Sequence, residues 1–535
     1  MVSLPDSFLF RALKRRAALI GLGVIVFFIL VATIGAAAAP QSNGYSPSQF
    51  DIASPNALPI WMSIVPGFQN QPPNITFPPS TSDQSFKTSS AVAAWQPTQG
   101  PQGEVQYAPS AGPTGMTPAG RAYELVNTGQ GSELINMSGD SQGTMELTFQ
   151  QTFSYKYLPP GIFMSQVAFD PAVVQGAGVA VMLYVQTSKG VYPTALEANQ
   201  AGEAVLESGK SGLSYLSYFT NPIIQAMQND TWNYVGGATT AAELMPLAYL
   251  NSSLVSGLSV STLTSTIFKG VSSYTLGETV MIFPQGQYKV QLYQSDLKYE
   301  LLGNVYGLLG TDTNGADVWS EFSHGTQYAL LIAFGAAAIT LVIGILVGLV
   351  AGFFGGLVDS ALLLVIDFLI LIPGLVLLVD LDTVFTLAHL VTNKALLLII
   401  IFGILSWPIL ARTLRSQVLS LRSTTYVVSA GAMGGGKLYV LRRHILNHTF
   451  GTIIAIATFL IAGFVILDVG VDYLGLGITQ TPTWGNMVAA LIVDVSPANS
   501  YLWWITLPLS LSIILVSMSF WLVGYSIQRE YSRTA

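Results

Sequence analysis

Apolar positions along this chain come in long unbroken runs, separated once by a long polar stretch. A bilayer core takes about 20 consecutive apolar residues per helix. Six runs suit that length: 17–39, 328–353, 361–380, 395–412, 450–470 and 501–525. They contain Pro373, Pro408 and Pro508, which membrane helices tolerate better than soluble ones. The first run follows a basic cluster and exceeds the roughly 7–15 residues of a cleavable signal core, which favours a retained anchor.

Residues 40–300 have a different pattern. They are rich in Gly, Ser, Thr, Pro, Asn, Gln and Tyr, and none of their runs is long enough to span. Met145–Tyr157, Val179–Gln186 and Tyr274–Phe283 alternate apolar and polar residues or carry β-branched and aromatic types, the pattern of half-buried strands. Residues 197–227 read as more helical, and 40–118 as partly irregular. The fold class expected is an all-α polytopic membrane domain of six transmembrane helices, with a mostly β domain inserted between the first and second. The domains are 1–39 (tail and first helix), 40–300 (insertion) and 301–535 (five helices with a polar loop at 412–449).

Composition narrows the function classes. Only 9% of the 535 residues are charged, against about 25% in soluble domains. The net charge is −7 with no basic patch suited to nucleic acid, and the lack of cysteine excludes disulfides and thiolate metal sites. Twelve of the 21 Lys and Arg residues sit in three short segments. The N-terminal tail holds Arg11, Lys14, Arg15 and Arg16, and the C-terminal tail holds Arg529 and Arg533. The 412–449 loop holds Arg412, Arg415, Arg422, Lys437, Arg442 and Arg443. Six spans put all three segments on one side, which the positive-inside rule makes cytoplasmic. Both termini are then inside and the 40–300 domain is extracellular, on a multi-pass protein of the cell membrane. Four sequons fall in that domain, at Asn74, Asn136, Asn229 and Asn251, as possible N-glycosylation sites.

The 412–449 loop is basic, partly amphipathic and too polar to span. Its helical pattern breaks at Gly434–Gly436, as two short helices with a turn would, and a compact basic element suits docking to a cytoplasmic partner. Plain obedience to the charge rule is the alternative. Gly431–Lys437 imitates a phosphate-binding loop, but Leu438 stands where a Ser or Thr would reach magnesium and no strand precedes it. Asp367 and Asp468 fall within spans, where carboxylates are costly and default to functional hypotheses. His324 and His389 are expected outside, and His444 and His448 inside without a third ligand, so no metal site follows. No catalytic constellation is evident. Trp61, Trp95 and Trp232 are candidates for stacking on sugars, the core being the commoner place for a tryptophan of a β domain.

Several motifs recur in one order: Leu309–Asp317 (LGTDTNGAD), Ala351–Asp359 (AGFFGGLVD), Asp367 with Pro373, Ser406–Pro408 leading through Arg412 to Gln417–Arg422, Tyr473–Gly477 (YLGLG) and Pro482–Met487 (PTWGNM). From Leu301 to about Gln528 the chain thereby resembles the C-type permease subunit of the dipeptide/oligopeptide class of binding-protein-dependent ABC importers. The resemblance makes Asp312, Gly315, Asp317, Asp359, Asp367, Pro373, Asp468, Gly475, Gly477, Trp484, Gly485 and Asn486 permease motif residues. It makes the polar loop the ATPase-coupling element, carried by Tyr426, Ser429, Ala430, Gly434, Lys437, Arg442, Arg443 and His444. Val428 replaces the glutamate usual there and Asn447 the proline, which puts an ion pair of that glutamate with the ATPase in doubt; Arg442 and Arg443 are alternative charge contacts. Ala316 and Glu321 stand where arginines are usual, and the 40–300 insertion has no counterpart in typical members.

What the resemblance implies is a non-enzymatic transport subunit taking up di- or oligopeptides, with oligosaccharides as the other substrate class. Its partners would be a second permease subunit, two cytoplasmic ATPase subunits carrying ATP and Mg, and an extracellular substrate-binding protein, with no cofactor on this chain. A membrane-anchored surface enzyme or receptor acting through the 40–300 domain is the competing class. One span would suffice for such an anchor.

Overall fold

A computed structural model describes residues 11–39, 52–77, 86, 88–98, 100, 105–111, 131–188, 190–207, 225–238, 267–268, 272–387, 393–478, 481–493 and 502–534. Asn251 and His389 lie outside them. Contacts divide the chain into two units, Met1–Tyr45 with Val318–Ala535, and Ser46–Asp317.

The first unit is helical: α1 (Arg16–Ala38), α2 (Val318–Phe354), α3 (Gly356–Leu371), α4 (Gly374–Leu387), α5 (Lys394–Arg422), α6 (Thr425–Ala432), α7 (Lys437–Tyr473), α8 (Trp484–Val493) and α9 (Trp503–Thr534). Among these, α1, α2, α5, α7 and α9 are each long and apolar enough to cross a bilayer. The span expected over 361–380 is not one helix. Gly356–Leu371 and Val376–Phe385 meet at 88°. Proline pushes the residue before it out of the helical region, and Ile372, ahead of Pro373, is extended at φ −75°, ψ 128°.

Small residues determine how this unit packs. Ala336, Thr340, Gly344, Gly348 and Gly352 recur every fourth position and are all buried, forming a ridge that lets another backbone approach closely. Along it lies α5, running the same way: Ile399 sits against Gly335, Leu410 against Gly344, Leu414 against Gly348 and Val418 against Gly352. The Thr340 hydroxyl donates to the Gly403 carbonyl at 3.2 Å. Two adjacent spans with the same direction must be joined by a crossing in the opposite sense. The bent pair α3–α4 is therefore the sixth, kinked crossing.

The remaining helices alternate in direction. Against α5, α7 runs antiparallel, with Gln417 bonded to Thr452 (3.3 Å) and Phe402 stacked on Phe464 (6.0 Å). Next, α9 runs antiparallel to α7, with Gly524 under Thr458 and Gly451 under Tyr531. Finally, α1 runs antiparallel to α9, with Gly21 against the Ser519 carbonyl and Arg15 ion-paired to Glu530. One face thus gathers the Arg11–Arg16 segment, the end of α2, the 415–448 segment and the end of α9. The opposite face gathers the end of α1 and the start of α2, where Gly35 meets Trp319 and Ser323.

The second unit is a nine-stranded sheet: β1 (Ile75–Phe77), β2 (Val105–Ala108), β3 (Ser132–Ser141), β4 (Met145–Tyr155), β5 (Ile162–Thr187), β6 (Gly190–Asn199), β7 (Gln225–Met227), β8 (Asn233–Ala238) and β9 (Ser272–Leu302). Its spine is the antiparallel pair β5 and β9, matched from Ile162↔Leu302 to Gln186↔Thr275. Register shifts at 166/168, 170/173 and 175/177 bend this pair, as bulges do. The other edge of β9 carries β4, β3 and β1, and that of β5 carries β6 and β8. Alternation sends Val179, Val181, Leu183 and Val185 into the main core, with Phe149, Phe163 and Tyr299. Ala180, Met182 and Tyr184 face a second cluster beneath a short helix, Gln200–Glu207. The helix expected over 197–227 is limited, among the described residues, to those eight, between β6 and β7. Trp95 is buried in the main core, which is not a surface for stacking on a sugar.

That core also holds acids. Glu278 is fully buried and neither carboxylate oxygen has a hydrogen-bond partner. Burial pushes its pKa up to about 8, with the Trp95 indole pulling the other way. Burial likewise raises Glu133, against the lowering effect of the Gln294 amide that donates to it. The folded state therefore keeps a proton on Glu278 that the unfolded chain releases above about pH 4.5. Its penalty is absent below that pH, grows as pH rises and levels off above about 8, reaching on the order of 5 kcal/mol. We expect Glu278→Gln to raise the thermal midpoint of this unit at pH 8 and to leave it unchanged at pH 4.5, as read by calorimetry of the purified chain. Equal midpoints at both pH values for wild type would overturn the assignment.

Candidate functional site

The polar segment after α5 folds as a compact turn of helices on the basic face. Thr424 breaks the helix at φ −72°, ψ 145°, and its hydroxyl donates to the Leu421 carbonyl (2.5 Å). At the other end of α6 the chain reverses through Gly434, at φ +89°, a left-handed conformation that glycine adopts without strain. Gly435 donates to the Ala430 carbonyl at 3.1 Å, and a side chain there would press on that oxygen. Gly436 then caps the start of α7. The phosphate-loop imitation at 431–437 is this turn, with helix rather than strand before it.

One face of the element is anchored and the other is bare. Val427, Ala430, Val440 and Ile445 are buried against Leu349 of α2 and Val418 of α5. Met433 and Leu438 are 82% and 76% exposed, flanked by exposed Val428 and Tyr439, with Lys437, Arg442 and Arg443 exposed around them. Tyr426 packs edge-on to His448 (5.0 Å) and faces His444 (6.4 Å), which also meets Tyr439 (5.9 Å). Exposed large apolar side chains rimmed by cations form a surface suited to a binding partner. Tyr426, Ser429, Ala430, Gly434, Lys437, Arg442, Arg443 and His444 thus fall in one element. Ala430 is in its buried half, and Met433, Leu438 and Tyr439 join its exposed half without having been singled out from the sequence.

The motif residues distribute differently. The Asp312 carboxylate accepts from the backbone N–H groups of Asn314 (2.9 Å) and Ala316 (2.7 Å). Gly315 beside it is at φ +73° and its carbonyl accepts from Ile52 (3.0 Å). Asp317 is buried. These three shape the turn that ends at α2. Asp359 at the start of α3 forms a bidentate pair with Arg415, Nη2–Oδ2 at 2.7 Å. Asp367 lies 3.3 Å from Arg412, and Arg422 donates to the Phe353 carbonyl (3.0 Å) at the end of α2. The two carboxylates of α3 thus fasten that helix to α5. Pro373 marks the break before α4.

A second group lies at the opposite face. Asp468 and Asp472, one helical turn apart on α7, are both buried, and Asp468 Oδ1 and Asp472 Oδ2 lack hydrogen-bond partners. Asp472 Oδ1 accepts from Ile478 N–H (3.1 Å). A Cβ at Gly477 or Gly485 would overlap Asp472, and Gly475 turns the chain at φ +76°. The Trp484 indole donates to the Phe322 carbonyl (3.3 Å) and stacks on the Phe322 ring (5.8 Å). Asn486 donates to the Ile478 carbonyl. These contacts tie the 473–487 turn to α2 and α7. Asp472 was not singled out, although its spacing of four from Asp468 was the available signal. His324 is buried with Nδ1 2.9 Å from the Ser320 carbonyl.

The sequons have unequal surroundings. Asn74 uses its amide on the Ile52 carbonyl and its oxygen on the Gly303 N–H, so a glycan on that nitrogen would compete with the bond to Ile52. Asn136 is exposed on β3, and Asn229 accepts from Asn199 (3.2 Å).

Residues 344–533 match the family described as the binding-protein-dependent transport system inner membrane component. The chain is similar to a candidate peptide permease protein of Brucella suis biovar 1, 29% identical over 182 residues, which are 34% of this chain and 58% of the relative. It is similar to the oligopeptide transport system permease protein OppC of Bacillus subtilis, 30% identical over 197 residues, 36% of this chain and 61% of that one. For the di/tripeptide transport system permease protein DppC of Pseudomonas aeruginosa the figures are 29% over 223 residues, 42% and 70%. The chain thus spans less than two thirds of the length of the first two relatives.

Replacing Asp359 or Arg415 by alanine should lower the thermal midpoint of the helical unit in detergent. The double variant should be little worse than either single one, a coupling of about 1–3 kcal/mol for a charge-assisted pair. Additive losses would remove the pair from any role in holding α3.

Proposed function

We propose that this chain, whose residues 344–533 match the family described as the binding-protein-dependent transport system inner membrane component, is one of two permease subunits of an ATP-driven importer of di- and oligopeptides. The observation that carries the coupling assignment is the exposed apolar knob of Met433, Leu438 and Tyr439, set among Lys437, Arg442 and Arg443 and rooted between the ends of α2 and α5. It fits a cleft on a cytoplasmic ATPase subunit. Two such ATPases hold ATP and Mg, so this chain needs no cofactor and performs no hydrolysis. The basic face is cytoplasmic, both termini included, and the β unit is extracellular, on the side from which a substrate-binding protein delivers solute. The names of the relatives, all peptide permeases, support the substrate class.

Transport then follows from differential binding. ATP-driven closure of the ATPases favours one position of the coupling element, and because its buried half belongs to the α2–α5–α7 core the spans move with it. Only an interaction that differs between the two positions can bias the cycle. The element works without the family's glutamate: Val428 is exposed beside the knob, so contact there is apolar, with charge supplied by Arg442 and Arg443.

Deleting residues 425–446 should abolish uptake and ATPase recruitment while the protein remains in the membrane. Leu438→Glu, at an exposed position, should sharply reduce co-purification of the ATPase and stop peptide uptake without lowering the amount of inserted protein. Normal peptide uptake by either variant would sink the coupling assignment.

A further inference from the structure

Among the described residues of the β unit, the large apolar side chains that stand exposed gather on one surface. They belong to the 60–68 segment and to Leu158 and Leu308. Ile64 is 77% exposed, with Trp61 and Phe68 beside it. Hydrogen bonds knit the three pieces into one surface: Trp61 Nε1 donates to the Leu308 carbonyl (3.0 Å), Ile60 N–H to Gly307 (3.0 Å) and Leu158 N–H to Asn70 (2.9 Å). No Asp, Glu, Lys or Arg occurs in 52–77 or 301–311 apart from these polar backbone contacts. The other exposed large apolar side chains belong to the helical unit. A contiguous bare apolar surface of this kind has an occupant.

Covalent structure indicates which. Leu308 lies ten residues before Val318, where α2 begins, and the link is folded on itself: Asp312 N–H donates to Ala316 O (3.0 Å) and Thr311 bridges Asp317. It therefore reaches far less than the ~35 Å of an extended ten-residue chain. The 52–60 segment is bonded to this same link, Ile52 to Gly315, Asn56 to Asp312 and Thr311 to Ala57. The surface is thus tethered closely to the point where a membrane span begins. Its chemistry matches that level of a bilayer: aliphatic tips, an indole with its N–H already satisfied, and one nearby cation, exposed Lys156 over the Tyr157 ring (5.4 Å), of the sign that suits lipid headgroups. A polar solute would find few free donors or acceptors on these side chains.

We propose that the face formed by 60–68, Leu158 and Leu308 is seated in the boundary between headgroups and acyl chains of the outer leaflet, and so holds the β unit to the lipid surface beside its tether. This holds whichever solute the chain carries, and its failure would leave the coupling assignment untouched. The cysteine-free sequence permits a direct test. Ile64→Cys in the full chain, labelled with an environment-sensitive fluorophore and reconstituted in phosphatidylcholine–phosphatidylglycerol nanodiscs, is compared with Gln142→Cys, an exposed position between β3 and β4. Lipids with a quencher high on the acyl chain should quench the label at 64 several-fold more than at 142, with blue-shifted emission at 64. Quenching at 64 by an aqueous quencher equal to that at 142 would overturn the proposal. So would protection at 64 from both quenchers, because protein rather than lipid would then cover the face.

Discussion

Everything in the helical unit depends on one close approach, that of α5 to the small-residue ridge of α2. Gly348 and Gly352 bring α2 against the backbone carbonyls of Ala411 and Arg415, Gly344 receives the Leu410 side chain, and the two helices run in the same direction along this contact. That direction obliges the chain to return between them, which makes the kinked α3–α4 pair a crossing. It also sets the span number at six and leaves the ends of α2 and α5 side by side at the basic face. The 423–448 element packs into the notch these ends create. A larger residue at Gly348 would meet the Ala411 carbonyl and the Leu414 side chain at once, so relief by a rotamer change alone is closed off.

The β unit depends on a different constraint, two strands of unusual length that pair with each other. Because β5 and β9 each serve both halves of the sheet, alternate residues from either half meet in one core. A buried acid in that core is tolerated at a cost set by pH, since burial raises the pKa of Glu278 to about 8. The contribution of this one group to stability is lost as pH rises, the opposite sign to that of a carboxylate held in a salt bridge.

Legibility in the sequence followed locality. Apolar runs long enough to span are a local property, and α1, α2, α5, α7 and α9 lie where those runs lie. The break before Pro373 was also local, carried by the proline itself, but the run length alone suggested a straight helix. The strand β4 was visible whole, as Met145–Tyr157, but β5 and β9 only in fragments. The segments Val179–Gln186 and Tyr274–Phe283 are parts of longer strands that continue through Pro171, Gly176, Pro284 and Gly286, residue types that commonly end a strand. The 423–448 turn was legible because Gly434–Gly436 interrupts a helical pattern within a basic loop. Pairings such as Asp359 with Arg415, 56 residues apart, leave no mark in a single sequence, and neither does the gathering of residues near 60, 158 and 308 into one surface.

The Gly434 turn has a mechanical consequence. Its exposed tip is two short helical segments, but its root is shared by three membrane helices through Leu349, Val418 and Ile445. Close-packed interiors compress little, so a load applied at Met433 is not absorbed locally. The turn is a short handle whose root is part of the bundle, so whatever grips it grips the bundle.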